Sequence, residues 1–130
     1  MKRRQVRWMV AGFVMLAVLT LPSCGFKRQL VSITLIPNKA TLGGSGLKLQ
    51  FQAIGNYVHP PDSRDITDSV AWTSAADSVV SVDPTGLATS GIDCGTDITI
   101  TATGHSDPHD SSSGIVVGIA TVTVTHTGCP

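Results

Sequence analysis

The stretches Ile98-Thr99-Ile100-Thr101-Ala102-Thr103 and Ala120-Thr121-Val122-Thr123-Val124-Thr125 decide the fold class of this chain. Each alternates an apolar residue with a threonine, which is the pattern of a β-strand with one buried and one exposed face. If inward residues face one another across an antiparallel pair, Ile98 lies opposite Val124 and Ile100 lies opposite Val122. The two stretches therefore predict a pair of strands with an outward row of threonines.

The same period of two continues upstream, from residue 30 onward. Val31, Ile33 and Leu35 alternate with polar residues, and further short runs surround Phe51, Trp72 and Val80. Turn-forming residues such as Asp83-Pro84-Thr85-Gly86 separate these runs, and a long loop covers residues 55–68. About seven short strands of this kind predict an all-β sandwich of two antiparallel sheets. Its predicted core contains Trp72, Phe51, Ile98, Ile100 and Val122.

Several short sequence motifs, taken in their order along the chain, resemble those of a known protein family. They are Ile33-x-Leu35-x-Pro37, Leu47-x-Leu49-x-Phe51-x-Ala53, Val70-x-Trp72-x-Ser74, Val79-Val80-Ser81-Val82-Asp83 and the two strands that alternate with threonine. Together they resemble the group 2 bacterial immunoglobulin-like domain, a module of intimin-like and invasin-like surface proteins. The resemblance implies an immunoglobulin-like β-sandwich over residues 30–130, joined to a short tether over residues 24–29. It also implies a role in adhesion or cell-surface interaction.

The amino terminus has the layout of an export signal. Four cations in residues 1–7 precede an uncharged, mostly apolar run from Trp8 to Leu21, shorter than the roughly 20 residues that span a bilayer. Leu21-Pro22-Ser23-Cys24 resembles the lipobox of bacterial lipoproteins. The layout predicts a signal-peptide helix, and the lipobox resemblance implies that residues 1–23 are a lipoprotein signal peptide and that Cys24 carries a lipid thioether. Ordinary secretory cleavage and an uncleaved signal anchor are the alternatives.

The net charge of residues 24–130 and the residue after Cys24 limit the classes of partner and the locations that we expect. Residues 24–130 contain five cations and nine aspartates, a net charge of about −4, so a nucleic-acid partner is not expected. The expected partners are the membrane, through the lipid, and a protein or glycan. Gly25 follows the lipobox cysteine where a retention signal for the inner membrane would have aspartate. The expected location is therefore the bacterial cell envelope, at the outer membrane or the cell surface.

The two other cysteines are Cys94 and Cys129. A pair of cysteines in an exported domain favours a disulfide, and the predicted strand register places Cys94 opposite Gly128, next to Cys129. Closing that loop stabilises a fold by roughly 4 kcal/mol in the chain-entropy model. Two free thiols are the alternative. A metal role is not expected for this pair, because no CxxC-like cluster accompanies it.

Apart from the cysteines, the candidate metal ligands are aspartate and histidine side chains in two loops. Asp62, Asp65 and Asp68 lie in the long loop, and His105 and His109 lie in a second polar loop over residues 104–114. The aspartates lack the calcium-loop spacing of an EF-hand and a glutamate for bidentate binding, and the histidine loop supplies no rigid support. We therefore expect solvated side chains and no metal site or cofactor. Nucleophile-elbow and phosphate-loop motifs are absent from the sequence, which argues against an enzyme.

One segment breaks the alternation. Ile115, Val117 and Ile119 share the outward parity of the threonine row. Gly118 could mark a bulge that reverses the faces, the strand could be covered on both sides, or an apolar stripe could be exposed for a partner.

The function predicted from these features is that of a lipid-anchored, non-enzymatic envelope protein that presents one immunoglobulin-like domain for adhesion, interaction or a structural role. The alternative is an accessory protein of the envelope that binds carbohydrate or metal through the loops at residues 55–68 and 104–114.

Overall fold

The computed structural model describes Gly25 and residues 27–130. The ten strands of this part are β1 (Gln29–Ile36), β2 (Lys39–Leu42), β3 (Lys48–Gln50), β4 (Gln52–Val58), β5 (Asp62–Asp65), β6 (Ala71–Ser74), β7 (Val80–Val82), β8 (Leu87–Ser90), β9 (Gly95–His105) and β10 (Ile115–Val124). A 3-10 turn, Thr67–Ser69, is the one helical element among the described residues, none of which lies in a helix able to cross a membrane. The predicted signal-peptide helix and Cys24 lie outside the described residues.

The strands form a two-layered sandwich, which confirms the predicted all-β fold class. One layer is the four-stranded sheet β2-β10-β9-β6. The other layer combines the sheets β1-β4-β5 and β3-β8-β7, because β3 and β4 follow one another with only Phe51 between them. The chain changes layer between β1 and β2, at Pro37 and Asn38. After this crossing β2 runs parallel to the end of β10.

The structure has ten strands where the sequence predicts about seven, because β2 and β5 are additional and the second predicted strand is divided into β3 and β4. The second predicted strand is divided at Phe51, whose backbone N–H donates to the carbonyl of Gly86 and leaves the ladder. The expected long loop over residues 55–68 is instead a hairpin of β4 and β5, in which Tyr57 pairs with Asp62. Every residue of β5 is polar, so no apolar alternation marks it in the sequence.

The core lies between the layers. Phe51, Ile100 and Val122 are fully buried, and Ile98 is partly buried against the same cluster. Trp72 is 9% exposed, and its indole N–H donates to the carbonyl oxygen of Thr67 at 2.9 Å. This hydrogen bond satisfies the one polar atom of the side chain, as burial of an indole requires.

Gly86 is essential to the packing around Trp72. Its φ of +78° is one that residues with side chains rarely adopt. A Cβ atom there would also lie 2.9 Å from the Phe51 carbonyl oxygen and 2.9 Å from the Trp72 ring. The glycine predicted to close the Asp83–Gly86 turn is therefore needed for both its backbone angle and its small volume.

The pairing of β9 with β10 differs from the predicted register. Ile98 pairs with Val122, Ile100 with Ala120 and Ala102 with Gly118, a shift of two residues from the prediction. A shift of two leaves every inward residue facing inward, so the alternation that predicts the strands does not distinguish the two registers.

The first strand also departs from its predicted face. A bulge between Leu30 and Ser32 interrupts the pairing of β1 with β4. As a result Leu30 is buried, whereas Val31, predicted to face inward with Ile33 and Leu35, is 51% exposed.

Candidate functional site

The outward side of the sheet β2-β10-β9-β6 carries an apolar stripe, which we define as Ile115, Val117 and Ile119 of β10. These side chains are 68%, 51% and 64% exposed. The pairing of Gly118 with Ala102 is regular, so the strand has no bulge there. Of the three interpretations of this segment, the structure shows an exposed stripe within the described part of the chain.

Gly118 has a different role from the bulge considered from the sequence. It faces inward and is buried, at the point where β1 passes close to β10. A Cβ atom on Gly118 would lie 2.8 Å from the carbonyl oxygen of Ile33. The missing side chain therefore allows backbones from the two layers to approach closely.

The surroundings of the stripe are uncharged over most of its length. Thr101 and Thr103 lie opposite Ile119 and Val117 on β9, and β6 adds Thr73 and Ala71 beyond them. Residues directly opposite on neighbouring strands share a face, so these side chains form one continuous surface. The ion pair of Lys39 with Asp97, 3.1 Å apart, lies at the far end of this face, beside Thr121 and Thr123.

A second feature is a cavity of about 370 Å³ at the end of the sandwich where β1 begins. We call it the loop pocket. The residues that line it come from the tether, from the β4–β5 hairpin and from the β9–β10 loop: Lys27, Arg28, Tyr57, Arg64, Asp107, Pro108 and His109. The two loops predicted to act together thus meet at one concavity. A hydrogen bond from the Leu30 N–H to the Ser106 carbonyl, 2.8 Å long, joins the start of β1 to the second loop.

Ion pairs organise the wall of the loop pocket. Asp62 accepts a hydrogen bond of 2.6 Å from Nε of Arg64 and lies 3.9 Å from Nη1 of Arg28. The hydrogen bond from Arg64 lowers the pKa of Asp62, so this carboxylate is charged at neutral pH. Lys27 lies 3.8 Å from Asp107 on the other side.

The candidate metal ligands are placed apart from one another. Asp62 pairs with arginine, Asp65 accepts hydrogen bonds from the N–H and hydroxyl of Thr67, and Asp68 lies in the 3-10 turn. The hydroxyl of Thr67 is the main cause that lowers the pKa of Asp65. His109 lines the loop pocket, whereas His105 is exposed at the end of β9.

The one described group of three potential ligands within metal-binding distance is Cys94, His126 and Cys129. Cys94 and Cys129 form a disulfide with a Cα–Cα distance of 5.7 Å, which confirms the predicted pairing. Nε2 of His126 lies 3.5 Å from Sγ of Cys94 and 2.9 Å from the carbonyl oxygen of Ile92. Because the two sulfurs are bonded to each other, this group is a disulfide with a neighbouring histidine side chain.

Several of these residues are not predicted from the sequence. Lys27, Arg28 and Arg64 contribute only to its predicted net charge, and no role beside the cysteines is predicted for His126. The spacing His126-x-x-Cys129 is the one sequence signal for that role. The convergence of the cations had no such signal, because it depends on the fold.

No protein-family model matches this chain, and no curated protein matches it. The function is therefore inferred from the exposed stripe, the loop pocket and the sequence of the amino terminus.

Proposed function

We propose that this protein is a lipid-anchored, non-enzymatic component of the bacterial cell envelope. In this role it presents one immunoglobulin-like domain that binds another protein. The observation that carries the proposal is the stripe of Ile115, Val117 and Ile119 on the outward face of the four-stranded sheet. Contiguous exposed apolar side chains on a soluble domain are typical of interaction sites.

The composition of the face favours a protein partner over a glycan. Threonine and alanine side chains flank the stripe, so the central part of the surface offers apolar contact and hydroxyl groups without charge. The centres of protein interfaces are depleted in charged residues in the same way. Adhesion to a surface protein and a structural contact within the envelope would both use such a face.

The lipid anchor in the proposal comes from the sequence. The basic residues 1–7, the apolar run and Cys24 supply the signal, and the sulfur of Cys24 supplies the atom that a lipid thioether requires. Two or three acyl chains hold a protein at a membrane far more firmly than one chain does.

Two valines of equal exposure, one on the stripe and one outside it, allow a controlled test of the proposed interaction. Val117 on the stripe and Val31 on β1 are both 51% exposed, so Val117→Lys and Val31→Lys make the same chemical change at equal exposure on different surfaces. The full chain, with a photo-crosslinking residue at position 119, should form a protein adduct of defined mass in cells. Val117→Lys should abolish this adduct because a charge disrupts an apolar contact, and Val31→Lys should leave it in place.

A crosslinker at position 36 is the positional control, since Ile36 is 50% exposed on another surface. The proposed interaction is wrong if position 119 gives no adduct of its own, or if both lysine variants reduce the adduct equally.

The loop pocket favours a second candidate function, ligand binding by an accessory protein of the envelope. A cavity that joins both predicted loops and combines Tyr57, Arg64 and His109 offers aromatic and hydrogen-bonding groups to a sugar or an anion. Calorimetry with envelope glycans checks this candidate, and Arg64→Gln should remove any heat of binding that arises in the pocket.

A further inference from the structure

Positive charge is concentrated at the loop pocket. Three of the five cations in residues 25–130 line it, namely Lys27, Arg28 and Arg64. Asp107 is the one carboxylate among the residues that line the pocket, so the lining carries a net charge of +2, with Asp62 and Asp110 close beside it. Residues 25–130 as a whole carry a net charge of about −4. The lining of the pocket is therefore a local positive site on an acidic domain, which favours an anionic ligand.

The two arginines retain hydrogen-bonding capacity. Each guanidinium has five N–H donors. Asp62 contacts one nitrogen of each, Nε of Arg64 and Nη1 of Arg28. Nε of Arg28 is shielded from solvent and has no acceptor among the described residues. A shielded donor without an acceptor is unfavourable, so the protein partners of Arg28 leave its hydrogen bonding incomplete.

The position of the pocket close to Cys24 in the sequence bears on which class of anionic ligand it can reach. Lys27 is three residues after Cys24, and three residues of extended chain span at most about 10 Å. That length is close to the distance over which charges act in physiological salt, about 8 Å. If Cys24 carries the lipid anchor of the proposed function, the cations of the pocket lie within reach of the membrane headgroups.

We propose that the loop pocket binds a phosphate group. Arg28 and Arg64 would supply paired N–H donors to phosphate oxygens, a geometry that a guanidinium fork matches and a lysine does not. Lys27 would add charge at the entrance. The same chemistry is offered by an anionic phospholipid headgroup and by free phosphate. The headgroup source rests on the proposed lipid anchor, whereas the phosphate site itself does not.

The first experiment tests the phosphate chemistry. The full chain in micelles of a neutral sugar detergent is titrated with inorganic phosphate, and the NMR signals of Tyr57 and His109 are followed. Saturable shifts are expected. Arg28→Gln and Arg64→Gln should each weaken the affinity about tenfold, the size of one lost charge-assisted pair.

Lys48→Gln is the matched control. It removes the same charge from β3, outside the pocket, and should change the affinity by less than about twofold. Thermal melts of all variants show that each is folded. The site is overturned if phosphate causes no saturable shift, or if Lys48→Gln weakens binding as much as the arginine variants do.

The second experiment identifies the source. The chain is placed in nanodiscs of phosphatidylglycerol or of phosphatidylcholine, and inorganic phosphate is added. Phosphatidylglycerol should occupy the pocket and prevent the phosphate shifts, whereas phosphatidylcholine should not. Equal shifts in both nanodiscs would overturn the headgroup source.

Cys24→Ser separates this proposal from the lipid anchor. The variant in micelles should bind inorganic phosphate with unchanged affinity, because the pocket is formed by residues 27–109. A failure of the anchor would therefore leave the first experiment intact. Loss of phosphate binding in Cys24→Ser would overturn a site built from the pocket residues alone.

Discussion

Gly118 shows how one residue determines the contact between the layers. Its Cβ position lies 2.7 Å from Cγ2 and 2.8 Å from the carbonyl oxygen of Ile33, closer than such atoms normally approach. Gly118→Ala should lower the free energy of unfolding by about 1–3 kcal/mol, because the added methyl forces β1 away from β10. Urea denaturation of the folded chain measures this change.

Gly43→Ala is the control for that substitution. No atom lies within 4 Å of its Cβ position, and its φ lies outside the left-handed region. This variant should differ from the wild type by less than about 0.5 kcal/mol. Equal stability of the two alanine variants would show that β1 and β10 do not meet as closely as the structure indicates.

Residue roles differ in how far the sequence reveals them. Trp72 and Gly86 could be assigned because the one tryptophan of residues 24–130, at an inward position, and a glycine that closes a turn are local signals. Gly118 could not be assigned, because its neighbour Ile33 is distant in sequence. The convergence of Arg28 with Arg64 at the loop pocket has the same cause.

At the scale of elements, the disulfide joins the segment before β9 to the segment after β10. Cys94 and Cys129 are 35 residues apart. Cys94→Ser combined with Cys129→Ser should lower the free energy of unfolding by about 2–4 kcal/mol, because the unfolded chain loses its crosslink. Thermal melts with and without a thiol reductant measure this. Reductant should lower the melting temperature of the wild type toward that of the double variant and leave the variant unchanged.

An unchanged melting temperature in the double serine variant would contradict that role. In that case the contacts of His126 with Ile92 and with the neighbouring backbone would hold the two segments without the covalent bond.

The strands themselves follow directly from the alternation of apolar and polar residues, but their register does not. The predicted disulfide is present even though the register is two residues away from the prediction. After β10 the chain turns at His126, whose carbonyl accepts from the N–H of Cys129, and this turn brings Cys129 back to Cys94. The disulfide therefore depends on the geometry of this turn, which the alternation of apolar and polar residues does not encode.

On the scale of the whole molecule, the two candidate surfaces begin at one end. The stripe starts at Ile115, which pairs with His105 beside the loop of Asp107 and His109. The tether residues Lys27 and Arg28 reach the same end. A lipid on Cys24 would place both the pocket and the start of the stripe near the membrane, so a partner of the stripe would have to be accessible there.

The proposed lipid anchor, on which this arrangement depends, can be tested directly. Cys24→Ser should move the chain from the membrane fraction to the soluble fraction, because a serine oxygen cannot form the lipid thioether and each buried CH₂ contributes about 0.8 kcal/mol to anchoring. Fractionation after high-salt washing measures the distribution, and mass spectrometry of the amino terminus identifies the lipid. Cys129→Ser, which breaks the disulfide of the domain but leaves Cys24 in place, should remain in the membrane fraction. A Cys24→Ser chain that stays bound as firmly as the wild type would point to an uncleaved signal anchor.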